Sequence, residues 1–366
     1  MKVNTISLNS VRLNTIALNH IGEIRSGGGG SKPSPIPQWI REHVVFYYDV
    51  KKQGATNETL KESAYLQDLS GKGRRMKLNN FLFDMMSGVD GYNNEAFNKS
   101  ADSSLKWELI DSRTIKGKAS QVFTGFGYYN IKDVTNNVMH INWHIDGIQE
   151  GNKVYLIQYV YNNFKIELHN GDNHVAFDVS ENTDKPNSFF VSVISDQPYS
   201  TDITITQIPE YPGALVTDGV NDYGLVENLS SGVKMLFMTV NPMMLEAAIY
   251  DQRFTSGWHY FAVITESNKV AYNAYNTKGK TYINGVLNES QTSNELQNEK
   301  QIITIVNSNV NETNSLPPNF FRIRGGGYRM KCAFYNSIAF DSIPTEADGF
   351  TEQELIDYVI TNIIGQ

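Results

Sequence analysis

Short runs of aromatic and β-branched residues recur along most of this sequence, and Gly, Asn, Asp or Pro bounds many of them. Representative runs read HINWHIDGI, KVYLIQYVY, SFFVSVIS, DITITQI, WHYFAVIT and QIITIVN. Alternating apolar and polar residues between turn-forming residues are typical of strands in a β-sandwich. The sequence therefore predicts an all-β fold.

One segment near the C-terminus, TEQELIDYVITNII, has the pattern of a good helix. Thr351 is placed to cap it, and Glu354 follows three residues later, which is the spacing of a capping box. Four apolar residues then recur at helical spacing, namely Leu355, Ile356, Val359 and Ile360. This stripe predicts an amphipathic C-terminal helix.

Length and charge limit the organisation of the chain and its partners. At 366 residues it exceeds a typical single domain, and we expect two globular units. The formal net charge is -8, whereas binding to nucleic acid needs clustered Lys and Arg. The sequence therefore predicts no nucleic-acid partner.

The single cysteine, Cys332, excludes a disulfide within the chain and a Cys-based zinc cluster. Its strand-like surroundings, KCAFYNSIAF, predict a packed small residue rather than a nucleophile. No apolar run approaches the ~18 residues of a membrane span, and the first residues lack the continuous apolar core of a secretory signal. We expect no membrane contact, no export signal and no cofactor or metal.

The first residues, NTISLNSVRLNTIALNHIGE, repeat every five positions, with Asn at 4, 9, 14 and 19. The apolar positions of the repeat are Ile6, Leu8, Val11, Leu13, Ile16 and Leu18. A segment of this length cannot bury these side chains by itself, so they are the predicted partner-docking residues. The alternative is an ordinary disordered tail.

Composition shifts divide the remainder of the chain. After an anchor over residues 1–26, the run SGGGGSKPSPIPQW predicts a flexible and then extended tether over residues 27–39. The polar stretch FNKSADSSLKW and the turn PEYPG enclose a block with its own strands. We predict a first domain over residues 40–103 and 210–366, interrupted by a smaller inserted β-sandwich over residues 104–209.

The sequence contains no strong pattern of catalytic, metal-ligating or phosphate-binding residues. Glu346, Asp348 and Glu352 come nearest to the carboxylate pattern of a glycosidase, but their spacing has one residue too many. Asp348 and Glu352 are better explained as acids near a helix N-terminus. His140 and His144 alternate with apolar residues, so a strand would hold them about 13 Å apart, too far to share an ion. The loops RIRGGGYRMK and LSGKGRR lack the spacing of a phosphate loop and are predicted to be turns.

Aromatic residues near amides are the usual side chains for stacking on sugar rings and bonding their hydroxyls. Such a group occurs in VYLIQYVYNNF, which contains Tyr155, Tyr159, Tyr161, Asn162 and Asn163. Each of these aromatic residues also fits a sandwich core. The sequence therefore assigns no glycan-binding residue.

Several motifs resemble those of concanavalin A-like, laminin-G-like domains. They are ALVTDGVNDYGLVENL, the turn in KTYINGVLNES, the closing segment FYNSIAFDSIPTEADGFTEQELIDYVI, and the early Asp68-Leu69-Ser70-Gly71. The resemblance implies a jelly roll built from the two parts of the interrupted domain.

The order of segments also resembles that of structural proteins of tailed bacteriophages that infect Bacteroides-type gut bacteria. This resemblance implies a non-enzymatic fibre or decoration component of the head or tail, assembled in the host cytoplasm into the virion. Its partners would be other virion proteins bound through residues 1–26, further copies of itself, and bacterial surface glycans. The alternatives are a bacterial surface or secreted carbohydrate-binding protein, and a glycoside hydrolase or lyase.

Overall fold

A computed structural model of the chain describes most residues from 34 onward. The described ranges are 34–84, 86–93, 96–97, 107–117, 124–129, 138–158, 165–178, 189–195, 201–229, 232–244, 247–253, 259–266, 269–272, 279–288, 294–295, 299–307, 316–323 and 327–365. Within these ranges, no helix combines the length and the apolar character needed to cross a membrane.

The chain divides into two compact units. Unit 2 comprises Asp84–Met86 and Asp90–Pro212, and unit 1 comprises the residues before and after it, including Ser87–Val89 and Gly213 onward. Unit 2 therefore interrupts unit 1 in sequence.

The elements of unit 1 that precede most of unit 2 are α1 (Ile36–His43), β1 (Val44–Asp49), α2 (Asn57–Ser63), β2 (Tyr65–Leu66), β3 (Met76–Asn79) and β4 (Gly88–Val89). The strands of unit 2 are β5 (Trp107–Asp111), β6 (Thr114–Gly117), β7 (Thr124–Tyr129), β8 (Val138–Asp146), β9 (Val154–Gln158), β10 (Lys165–Leu168), β11 (Gly171–Asp178), β12 (Phe189–Ser195) and β13 (Ile203–Gln207).

Unit 1 resumes with twelve strands in the described residues. They are β14 (Leu215–Val216), β15 (Tyr223–Val226), β16 (Met235–Pro242), β17 (Ala247–Arg253), β18 (His259–Glu266), β19 (Lys269–Tyr272), β20 (Gly279–Ile283), β21 (Val286–Asn288), β22 (Asn294–Glu295), β23 (Gln301–Asn307), β24 (Asn319–Phe320) and β25 (Cys332–Phe340). A short 3-10 turn (Glu346–Asp348), helix α3 (Glu352–Val359) and a π-helical turn (Ile360–Ile364) follow.

Two antiparallel sheets form unit 1. Sheet A has the order β21-β20-β23-β16-β25-β14-β4, with β1 also paired to β25, and sheet B has the order β2-β3-β15-β24-β17-β18-β19-β22. Together with the strands of unit 2, they confirm the predicted all-β class.

The main core of unit 1 lies between sheets A and B. It contains Phe46 and Phe334 from sheet A together with Tyr250 and Phe320 from sheet B. The Phe320 ring lies 6.0 Å from Phe46, 5.0 Å from Tyr250 and 5.6 Å from Phe334, measured between ring centroids. Aromatic contacts at these distances add to the hydrophobic gain from burial, so Phe320 joins the two sheets.

The opposite face of sheet A is covered by helices α1 and α3. Trp39 of α1 is buried, and its ring lies 5.4 Å from Phe340 and 5.9 Å from Phe350. The assignment of residues 36–39 to an extended tether is therefore wrong, because these residues begin a helix whose apolar side is part of the core. Proline is tolerated in the first turn of a helix, so Pro37 does not prevent it.

Helix α3 confirms the predicted C-terminal helix and its cap. The backbone N–H of Glu354 donates to Oγ1 of Thr351, and the N–H of Thr351 donates to Oε2 of Glu354. Leu355, Ile356 and Val359 are buried, whereas Ile360 is half-buried. Helix α2, with a similar box between Thr56 and Thr59, was not predicted.

Unit 2 contains a four-stranded sheet, β10-β9-β12-β7, and a five-stranded sheet, β11-β8-β13-β6-β5. It begins earlier than the predicted insert. The N–H of Phe97 donates to the carbonyl of Ser112, and its ring lies 6.3 Å from that of the buried Trp143. The compact unit consequently includes residues that composition alone assigns to the first domain.

Candidate functional site

Several residues singled out in the sequence lie outside the described residues. These are the docking residues Ile6, Leu8, Val11, Leu13, Ile16 and Leu18, and the aromatic-amide group Tyr159, Tyr161, Asn162 and Asn163. Tyr155 lies on β9 and is half-buried.

Two of the three carboxylates that come nearest to a glycosidase pattern, Asp348 and Glu352, accept hydrogen bonds within the fold. Asp348 accepts a hydrogen bond of 2.7 Å from the Thr345 N–H, which lowers the pKa of Asp348. Glu352 begins α3 and accepts hydrogen bonds from Lys280 and Tyr282. Asp348 lies in the 3-10 turn and Glu352 in the first turn of α3, so the interpretation of these two residues as acids near a helix N-terminus is confirmed.

His140 and His144 lie on strand β8, as predicted. Nδ1 of His144 lies 2.5 Å from Asp172 and Nε2 lies 3.4 Å from Asp146, and the bond to Asp172 raises the pKa of His144. Both ring nitrogens of His144 therefore lie beside carboxylates. Among the described residues, no group of three or more His, Cys, Asp or Glu is arranged to hold a metal.

The loop at residues 68–75 is a turn held by a buried carboxylate. Asp68 accepts hydrogen bonds from the backbone N–H groups of Tyr47, Ser70 and Arg74 at 2.9 to 3.0 Å. Gly71 and Gly73 adopt positive φ angles of 79° and 73°. The turn itself explains the spacing of Asp68, Ser70 and Gly71.

Cys332 is fully buried on β25, which confirms the interpretation of a packed residue. Burial raises the pKa of its thiol to about 12. A thiol of this pKa stays protonated and is a poor nucleophile at neutral pH.

Four exposed apolar residues lie on loops of unit 1. They are Leu82, Val220, Met244 and Tyr328, and we refer to this group as the loop patch. Isolated exposed apolar residues are common, but a group of them on linked loops is typical of an interaction site. The loop patch is therefore the candidate functional site.

Hydrogen bonds tie these loops together. Nδ2 of Asn80 donates to the carbonyl of Asn221 at 3.0 Å, and the guanidinium of Arg329 donates to the carbonyl of Val220. The loop around Gly219 also approaches its neighbours closely, because a Cβ at Gly219 would lie 2.9 Å from Cβ of Lys331 and 3.2 Å from Sδ of Met244. The patch is thus built on loops that support one another.

Two aspartates organise the centre of this region. Oδ1 of Asp218 accepts hydrogen bonds from the N–H groups of Val220 at 2.7 Å and Asn221 at 3.1 Å. Oδ2 of Asp222 accepts from Oγ of Ser87 at 2.8 Å and from the N–H of Asp218 at 2.9 Å. Oδ1 of Asp222 is buried without a hydrogen-bond partner. Burial raises the pKa of Asp222 to about 7.

Tyr328 is the aromatic member of the loop patch. Its side chain is 52% exposed, and its backbone has a φ of 51°, a conformation that is unusual for a bulky residue. The carbonyl of Tyr328 accepts a hydrogen bond of 2.8 Å from the N–H of Ala248, which fixes this backbone. An aromatic ring held at the surface, on a loop that Arg329 links to Val220, suits stacking on a sugar ring.

Sequence reasoning missed this site because its members are far apart along the chain. The spacing in RIRGGGYRMK predicts a turn rather than a phosphate loop, and DGVNDY contributes only to the resemblance to concanavalin A-like domains. A usable signal was the tyrosine directly after three glycines in the sequence, since loops often carry the residues that bind ligands.

Comparison with known proteins gives no family assignment. No protein-family model matches the chain, and no curated protein matches it. The solved structures include a Parabacteroides distasonis protein inferred to be secreted, with 8% sequence identity and a TM-score of 0.14. That comparison covers 82% of this chain and 98% of the other, and a similarity this low carries no argument about fold or function.

Proposed function

We propose that this chain is a non-enzymatic structural protein of a tailed-phage particle that holds bacterial surface glycans at the loop patch. Residues 1–26 attach it to neighbouring virion proteins, and the folded units project from the particle. In this proposal unit 1 is a concanavalin A-like jelly roll and unit 2 is an inserted sandwich.

Two features support the jelly-roll assignment. Sheets A and B are both antiparallel and share one core across Phe46, Tyr250, Phe320 and Phe334. The helix α3 that follows the last strand of sheet A packs on the outer face of that sheet, as the resemblance of the closing segment implies.

The glycan-binding role depends on one observation, the exposed Tyr328 ring on a backbone held at positive φ. A residue held in an unfavourable conformation at the surface is a common property of ligand sites. Val220 and Met244 lie exposed on loops that hydrogen bonds link to the loop of Tyr328, and their apolar side chains suit the apolar face of a sugar.

Binding of the full-length protein to an array of capsular polysaccharides from gut bacteria tests this role. We expect Tyr328→Ala to weaken binding about tenfold or more, which corresponds to ~1.4 kcal/mol. Ile110→Ala, a change at an exposed apolar residue on β5 of unit 2, is the matched control and is expected to bind normally. Unchanged binding by Tyr328→Ala would exclude the loop patch as the glycan site.

The same polysaccharides test the absence of catalysis. We expect no release of reducing ends at any pH. Turnover that persists in the combined Glu346→Ala, Asp348→Ala and Glu352→Ala variant would contradict the non-enzymatic assignment and would place a catalytic centre elsewhere.

A further inference from the structure

Strand β21 forms an exposed apolar edge of sheet A. It pairs with β20 through Tyr282↔Leu287 and Ile283↔Val286, and it is the last strand of the sheet among the described residues. Val286 is 71% exposed and Leu287 is 44% exposed. Proteins usually protect edge strands by short length, charges, prolines or bulges. Strand β21 has three residues, and its sequence Val-Leu-Asn contains no charge and no proline.

The two apolar residues of this edge lie on opposite faces of the sheet. Leu287 is opposite Tyr282, which belongs to the core beneath the helices, and Val286 is opposite Ile283, which packs on the core between the sheets. Directly opposed residues share a face. A strand that covers this edge must therefore present apolar side chains on both of its faces.

The N-terminal repeat has this property. Because its period of five is odd, an extended chain places Ile6 and Leu8 on one face and Val11 and Leu13 on the other. An ordinary amphipathic strand would supply apolar side chains on only one face. The repeat therefore matches an edge that is apolar above and below.

Charge also favours this pairing. Residues 1–26 contain three basic residues, Lys2, Arg12 and Arg25, and one acidic residue, Glu23, so their formal charge is +2. Because the whole chain has a formal charge of -8, the remaining residues carry -10. The turn before β21 lies beside the carboxylate of Asp357, because Nε2 of Gln353 donates both to the carbonyl of Gly285 and to Asp357. Opposite charges steer association toward the correct surface.

We infer that the N-terminal segment of one copy adds as a strand to β21 of a second copy. This inference rests on the proposed anchoring role of residues 1–26. A segment that docked on β21 of its own copy could not hold that copy to a neighbour. The contact joins two different surfaces, so successive copies form a ring or an open chain.

Sedimentation velocity of the full-length protein tests the contact. We expect concentration-dependent assembly of the wild type, and we expect the double change Val286→Arg and Leu287→Arg to weaken it by more than about tenfold. The control places an arginine at another exposed apolar residue, Ile110→Arg on β5, outside both the loop patch and the β21 edge. The control is expected to assemble like the wild type, and thermal melts check that both variants fold.

A mixing experiment defines the direction of the contact. The edge variant retains an intact segment, and a Leu8→Asp, Leu13→Asp, Leu18→Asp variant retains an intact edge, so each alone should be monomeric. Their mixture should form a complex of one copy of each and nothing larger. Three outcomes would overturn the inference: a wild type that is monomeric at all concentrations, a mixture that does not associate, or an equal loss of assembly in the control.

Failure of this inference leaves the proposed function testable. Particle incorporation measured on the same variants reports attachment to any virion protein, and glycan binding reports the loop patch. A monomeric wild type that still enters particles through residues 1–26 would identify a different virion protein as the partner.

Discussion

Ser87 donates a hydrogen bond of 2.8 Å to Asp222 across 135 positions of sequence. The two residues lie on opposite sides of the inserted unit in sequence, yet both belong to unit 1. The bond joins the loop that carries Leu82 to the loop that carries Val220. It therefore supports the loop patch from beneath.

The raised pKa of Asp222 predicts a stability that falls as the pH rises. Burial raises this pKa from 3.8 to about 7, so the folded state retains a proton that the unfolded state releases between these values. Stability from this group is present below about pH 4 and is lost as the pH rises to about 7. The loss is at most about 4 kcal/mol.

The change Asp222→Asn tests this dependence, because an amide cannot ionise. We expect the variant to melt at a higher temperature than the wild type at pH 8 and to differ little at pH 4. Melting curves at half-unit pH intervals measure the effect. A wild type and a variant with parallel pH profiles would show that Asp222 does not titrate in this range.

Loss of Trp39 is expected to destabilise unit 1. Its ring packs on Phe340 and Phe350, and replacement of a buried tryptophan by alanine costs roughly 3 to 5 kcal/mol. Chemical denaturation of Trp39→Ala measures this cost. The exposed neighbour Gln38 provides the control variant Gln38→Ala, and equal stability of the two variants would contradict the packing of α1 on the sheet.

Unit 2 is expected to fold by itself. A fragment over residues 90–212 should unfold in one cooperative transition, because it contains its own sheets and the buried Trp143. The shorter fragment over residues 104–209 lacks Phe97 and should melt at a lower temperature. Calorimetry of both fragments distinguishes these cases, and a broad, non-cooperative transition for the longer one would argue against an independent domain.

Deletion of residues 1–26 is expected to abolish incorporation into particles while leaving the melting temperature nearly unchanged. Burial of each branched apolar residue of the repeat against a partner is worth roughly 1.5 to 3 kcal/mol. The triple change Leu8→Asp, Leu13→Asp and Leu18→Asp should act like the deletion, because docking would then bury three charges. Quantitative mass spectrometry of purified particles gives the copy number. A wild-type copy number for either variant would leave the segment as an ordinary tail.

The sequence by itself determined the features that depend on neighbouring residues. Alternating side chains predicted the strand that carries His140 and His144, and the spacing of Thr351 and Glu354 predicted the capped helix α3. These predictions succeeded because strand alternation and helix capping act over two to four residues. The burial of Cys332 followed from the same local pattern.

Only the tertiary structure decided the features that join distant segments. The sequence suggested an extended tether at Trp39, but contacts with Phe340 and Phe350 provide the apolar burial that a short helix needs to be stable. Likewise, Leu82, Val220 and Tyr328 form one patch because long-range hydrogen bonds bring their loops together. Sequence spacing carries no record of such contacts, because their free energy comes from the packing of the whole unit.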